Sequence, residues 1–149
     1  MTTIAEMYNN WKRVNLRKQV PIIIEQNKQE LIDLNQSQVY QSSEDSFGEP
    51  LRFYSSNSYA FEKEKQNAAP GFGRPDLYLT GAFYRAFVVK VSPRFYEINS
   101  KDTKTKKLKS KYGEDIFGLT DENKGKFANE TLFVGIRSYI ESTTGVKFG

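Results

Sequence analysis

The chain contains no cysteine and no histidine. The first absence removes disulfides, thiolate metal ligands and thiol nucleophiles together. The second removes the commonest metal ligand and the side chain that most readily moves protons near neutral pH, so zinc chemistry and Ser/His catalysis are excluded. Long hydrophobic runs are missing too. The longest, VPIII at residues 20–24, falls far short of the roughly 20 residues that span a bilayer, and a mean hydropathy of -0.65 argues against a membrane protein. The opening residues, MTTIAEMYNNWKR, lack the basic start, apolar stretch and small-residue cleavage site of a secretory signal, so residence in a cytosol is expected.

What remains is a chain of 149 residues, a size that suits one domain over 1–149 with a single core. Eleven Phe and nine Tyr supply much of the apolar material, and such rings serve cores and contact surfaces alike. The net charge of +4 comes from 22 basic against 18 acidic residues, too balanced for a general polyanion binder. Where the charges sit matters more than their sum.

Thr3 with Glu6 three residues on forms a capping box, and Ile4, Tyr8, Trp11 and Val14 follow at helical spacing, an apolar face that needs a covering partner. Pro21 predicts a kink or a restart, after which Asn27, Leu31, Leu34 and Gln38 carry a helix to about Val39, making residues 3–40 helical. Residues 41–76, dense in Ser, Asp, Gly and Pro, read as turn-rich loop. From Phe83 the alternation of Phe83, Arg85, Phe87, Val89 and Val91 with their neighbours predicts a strand, and FYEIN returns beyond Ser92, Pro93 and Arg94 as its antiparallel partner. Strands and a Lys-rich loop thus occupy 77–119, with Gly113 placed to end a short, exposed helix over 101–111 that its like charges weaken. A last helix spans 120–143, started by Thr120, Asp121 and Glu122 and closed by Gly145, with Phe127, Leu132, Val134, Ile136, Tyr139 and Ile140 as its apolar face. The fold class is α+β: N-terminal helices on a small antiparallel sheet built round a central hairpin, a long C-terminal helix, and extended turn-rich loops. No internal repeat is visible.

A search for chemistry returns little. Three adjacent acid pairs, Glu44 with Asp45, Glu114 with Asp115 and Asp121 with Glu122, fall at turns or in a helix first turn, where a structural use outweighs glycoside hydrolysis or cation binding. PGFGRPDLYLTG has neither the order of a phosphate loop nor the preceding strand of a dinucleotide site. The strong electrostatic feature is the run Lys101, Lys104, Lys106, Lys107, Lys109 and Lys111, six ammonium groups able to meet phosphates through counterion release, with Tyr112 beside them for stacking. Against that stands the absence of interleaved aromatics, so a solvated surface is the blander reading. No catalytic residue, metal ligand or cofactor is expected, and the chain reads as an assembly or binding component, not an enzyme.

Three segments, in order, carry a family resemblance. QVYQSSEDSFGEPLRFYSSNSYAFEKEK is an acidic-Gly turn with a Tyr/Lys stretch; LYLTGAFYRAFVV carries Leu79, Thr80 and Gly81 into a strand; KYGEDIFGLTDEN leads to the last helix. Together they resemble the virion-morphogenesis or tail-completion proteins of tailed phages, which join head to tail at the neck. Two departures are Ser46 and Phe47 standing before Gly48, and the Lys-rich insertion. The resemblance implies a structural virion protein made in the host cytoplasm and acting as a homo-oligomeric ring, a hexamer, against other neck, connector or tail proteins. Phe47, Phe53, Tyr54, Phe72 and Tyr78 would then be interface anchors, and the lysines would face a partner or DNA passing through the lumen. The alternative from another class is a small nucleic-acid-binding module using residues 101–111.

Overall fold

Thr3 caps the first helix in the way its spacing to Glu6 predicts. The Glu6 amide donates to the Thr3 hydroxyl at 3.1 Å, and the Thr3 amide donates back to the Glu6 carboxylate at 2.7 Å. The structure, a computed structural model, describes residues 3–148. Helix α1 (Ile4–Lys12) is followed by α2 (Leu16–Gln26) and α3 (Lys28–Ser42). Pro21 neither interrupts nor restarts the chain but lies inside α2; the breaks come at Asn15 and Asn27. Both asparagines offer the helix ends a side-chain partner. Asn15 accepts from the Lys18 amide at 3.2 Å, and Asn27 donates to the Ile23 carbonyl at 2.8 Å. Pro21 costs α2 one backbone hydrogen bond, and the side-chain bonds at its two ends offset part of that loss.

Helix α3 is the centre of the molecule. Leu31, Ile32 and Val39 pack with Leu51, Phe83, Phe87, Ile98, Ile116, Leu119 and Phe127 into one buried cluster. The stretch 41–76, expected to be loop-rich, contains α4 (Asn57–Gln66), with Ser56 accepting from the Tyr59 amide at its start. The expected strand from Phe83 begins later. Gly81, at φ +85, opens a helical turn, α5 (Ala82–Arg85), and strand β1 is Phe87–Val91. Phe83 and Phe87 stand four apart, which suits a helical face as well as alternation does, and their rings meet edge to face at 5.2 Å. Strand β2 (Tyr96–Ser100) pairs antiparallel with β1, Val89 opposite Ile98, as the expected hairpin. These two strands are the whole sheet among the described residues. Residues 105–112 form α6 (Thr105–Tyr112), which Gly113 ends at φ +96. The segment is less exposed than expected, since Thr105 is buried and Leu108 and Tyr112 pack against the core.

The segment leading to the last helix has little regular structure of its own, and two amides of α3 bind it instead. Asn35, fully buried, donates to the Ile116 carbonyl and accepts from the Gly118 amide, both at 2.9 Å. Gln38 donates to the Gly118 carbonyl at 2.7 Å and accepts from the Thr120 amide at 3.1 Å and the Asn123 carboxamide at 2.9 Å. Every polar atom these side chains bury is thereby matched, as burial requires.

Thr120 then starts a helical rod made of α7 (Asp121–Phe127), a π-helical turn (Ala128–Leu132) and α8 (Phe133–Thr144), ended by Gly145 at φ +78. The wide turn shifts the phase of the helix beyond it. Phe127 is buried as expected, but Val134, assigned to the inner face by regular periodicity, is 54% exposed. Gly135 faces α2 closely enough that an added Cβ would lie 2.7 Å from Cγ2 of the buried Ile23. Ile is stiff at χ1, so it yields poorly. Gly135→Ala is therefore expected to destabilise the fold by about 1 kcal/mol, overpacking exceeding the helix propensity gained. In an Ile23→Ala background the same change should instead stabilise by about 1 kcal/mol, read from chemical-denaturation midpoints.

Candidate functional site

Lys63 lies on the inner side of α4, and Asp76 follows Pro75 in the extended stretch before α5. Their charged atoms are 2.8 Å apart, with only 7% and 3% of the side chains exposed. Such a pair is stable only if its remaining polar atoms are matched. Here they are. The Asp76 carboxylate also accepts from the Tyr78 amide at 2.9 Å and the Asn67 carboxamide at 3.1 Å, and Asn67 reaches the Tyr40 carbonyl at 2.8 Å. Lys63 donates further to the Tyr78 carbonyl, and the Tyr84 hydroxyl to the Asp76 carbonyl.

This cluster holds Leu77 at φ +58, a left-handed backbone that costs a branched residue energy and that clusters at binding and switch sites. Turned this way, residues 77–81 form one wall of a cleft of about 390 Å³. Tyr54 and Tyr59, edge to face at 4.9 Å, form a second wall, and Leu108 and Tyr112 of α6 a third. Its rim is basic. Lys104, Lys107 and Lys111 recur at helical spacing on one face of the α6 segment, and none of them is in an ion pair with a carboxylate among the described residues. Asp76, the one acid of the lining, is already matched by Lys63. An apolar, ring-lined hollow under unpaired ammonium groups suits a ligand that carries an apolar or aromatic body beside negative charge.

The six lysines of the run therefore divide. Lys104, Lys107 and Lys111 stand at the cleft, Lys111 over the Tyr112 ring at 5.2 Å, whereas Lys109 lies over the Phe117 ring at 5.4 Å, Lys101 is tied by its amide to the Ala86 carbonyl at 2.9 Å, and Lys106 lines a shallower hollow outside the cleft with Thr103, Ser110, Lys107 and Lys111. The five aromatic candidates divide as well. Phe72 packs on Phe61 at 4.8 Å and Phe53 against Gly73, while Tyr54 and Tyr78 are both part of the cleft, Tyr78 packing on Tyr84 at 5.4 Å as well. Phe47 projects from its turn with 75% of its surface exposed. Of the acid pairs, two have one acid engaged: the Asp45 carboxylate accepts from the Phe47 and Glu49 amides, and Asp121 lies 3.9 Å from Lys124, while Asp115 holds the Ser46 amide by its main-chain carbonyl. Among the described residues no group of acids could hold a metal ion. Sequence reasoning missed Lys63, Asp76 and Leu77. A lysine in a polar helix and an aspartate after a proline carry no mark of pairing across the fold. Comparison with family models, with curated proteins and with solved structures returns no match.

Burial, reinforced by the nearby Asp76 carboxylate, pushes the Tyr54 and Tyr84 hydroxyls above the ordinary phenol range, and burial alone does the same for Tyr96. The unfolded chain ionises its tyrosines near pH 10, so the folded state, which resists ionisation, keeps its full stability below that pH and loses it above. A spectrophotometric titration should show Tyr54 and Tyr84 ionising only as the protein unfolds in alkali, with Tyr96 ionising later than a free phenol. Removing one partner of the buried pair has a separate signature. Lys63→Met is expected to cost about 3–5 kcal/mol by leaving Asp76 buried and unmatched. Adding Asp76→Asn should restore part of that loss, measured by urea denaturation.

Proposed function

We propose that the chain is a non-enzymatic structural component of a tailed-phage virion, of the neck or tail-completion type, working as a homo-oligomeric ring between head connector and tail. The resemblance in the three ordered segments supplies the class and the hexameric number; the surface supplies the physical support. Helix α1 buries none of its residues, with Ile4 86% and Trp11 44% exposed and Met7 and Tyr8 open beside them. Phe133 and Val134, at the start of α8, are exposed as well. An amphipathic helix whose apolar face meets solvent is a face built for a partner. Synthesis in the host cytoplasm and residence in the virion belong to the same reading, as do contacts with other neck, connector or tail proteins.

Trp11 is the sole tryptophan of the chain and stands on that face, so its emission reports directly on coverage. With rising concentration, sedimentation should show the monomer giving way to one discrete larger species, and Trp11 fluorescence should shift to the blue in step. Electron micrographs of that species should show closed rings. A chain that stays monomeric at every concentration, with unchanged Trp11 emission, would overturn this reading.

A further inference from the structure

The acidic turn between α3 and α4 is shaped like an insert. Glu44 and Pro50 bridge across its base, and the Asp45 amide donates to the Glu49 carbonyl at 2.9 Å. The Asp45 carboxylate accepts from the amides of Phe47 at 2.9 Å and Glu49 at 3.0 Å, and Gly48 takes φ +76 at the tip. The Ser46 amide, donating to the Asp115 carbonyl at 2.7 Å, fastens the turn to the body. This turn presents one projecting benzyl ring, Phe47, 75% exposed, in a segment that also carries Glu44, Asp45 and Glu49. Exposing a large ring on a preorganised tip serves no purpose within the monomer, and holding it rigid lowers the ordering cost of binding.

The cleft presents the complementary surface: a hollow of about 390 Å³ walled by tyrosines and leucines, under three lysines that pair with no carboxylate among the described residues. No residue of the turn lines the cleft of its own chain. We propose that the cleft is the receptor for the turn of a second copy, Phe47 entering between Tyr54, Tyr59 and Tyr112 while Glu44, Asp45 and Glu49 meet Lys104, Lys107 and Lys111. This rests on the homo-oligomeric reading above and adds a second contact to the one that covers α1. Two different patches of one chain that fit each other make a head-to-tail interface, which propagates from copy to copy and closes as a ring when the rotation allows. A central aromatic anchor in a ring-lined pocket with charges at the margin is the arrangement that concentrates binding energy, and the opposed charges set its register and rate of encounter.

Complementary variants test it. A turn variant, Phe47→Ser with Glu49→Gln, keeps its cleft; a cleft variant, Lys104→Glu with Lys107→Glu, keeps its turn. All four positions are exposed, and circular dichroism checks that each variant folds. Each alone should associate at least about thirtyfold more weakly than the unaltered chain. Mixed in equal amounts, they should form a heterodimer that grows no further, since one intact turn meets one intact cleft and both outer ends are spoiled. If the unaltered chain assembles and both variants assemble as well, the proposal is wrong while the ring reading stands. An unaltered chain that never assembles sinks both. A cleft variant that assembles normally but loses salt-sensitive binding of a fluorescent single-stranded oligonucleotide would also overturn the proposal, making the cleft a nucleic-acid site.

Discussion

The ion pair between Lys63 and Asp76 joins two segments that share no secondary structure: α4 and the extended stretch before α5. Its worth lies less in attraction between the charges than in how fully both are enclosed by hydrogen bonds, because a buried pair with unmatched atoms is a net cost. Asn67, the Tyr78 backbone and the Tyr84 hydroxyl complete the set, and with it they fix where the chain can go next. Leu77 is forced into a left-handed backbone, residues 78–81 are swung into the cleft wall, and Tyr40, Tyr78 and Tyr84 are drawn into mutual edge-to-face contact. The cleft is a consequence of that enclosure.

The same device recurs elsewhere in the fold. With a single two-stranded ladder, most of the loop-rich backbone has no sheet to satisfy its polar groups, and buried amides on α3 take that role. Asn35 and Gln38 act as lateral rungs for residues 116–123, a stretch with one short 3₁₀ turn and the start of α7. A small sheet is sufficient because side chains of one central helix bind the backbone that further strands would otherwise have to pair.

Local signals made much of this architecture legible in advance. The Thr3 capping box, the hairpin around Pro93, the Gly113 and Gly145 stops and the Thr120 start all depend on residues within a few positions of each other, and the structure contains each of them. The misreadings share a different cause. Phe83 and Phe87 fit two periods at once, α4 is too polar to show a stripe, and Pro21 gives way to neighbouring asparagines whose capping depends on side-chain geometry. For the cleft, the Lys run and the tyrosines were visible as composition, but their meeting depends on Lys63 and Asp76, thirteen residues apart and joined only by the fold. Charge alone does not say which three of six lysines stand at this cleft.

The π-helical turn at Ala128–Leu132 has a consequence for how such a rod can change over evolutionary time. One surplus residue in a helix rotates everything beyond it by about 100°, so α7 and α8 keep independent azimuths although they form one rod. Deleting a residue there would return the rod to a regular pitch and swing Phe133 and Val134 round to another side of the molecule. Gly135 would leave its seat against Ile23 in the same movement. Length in this turn works as a dial that sets which side chains the distal half displays.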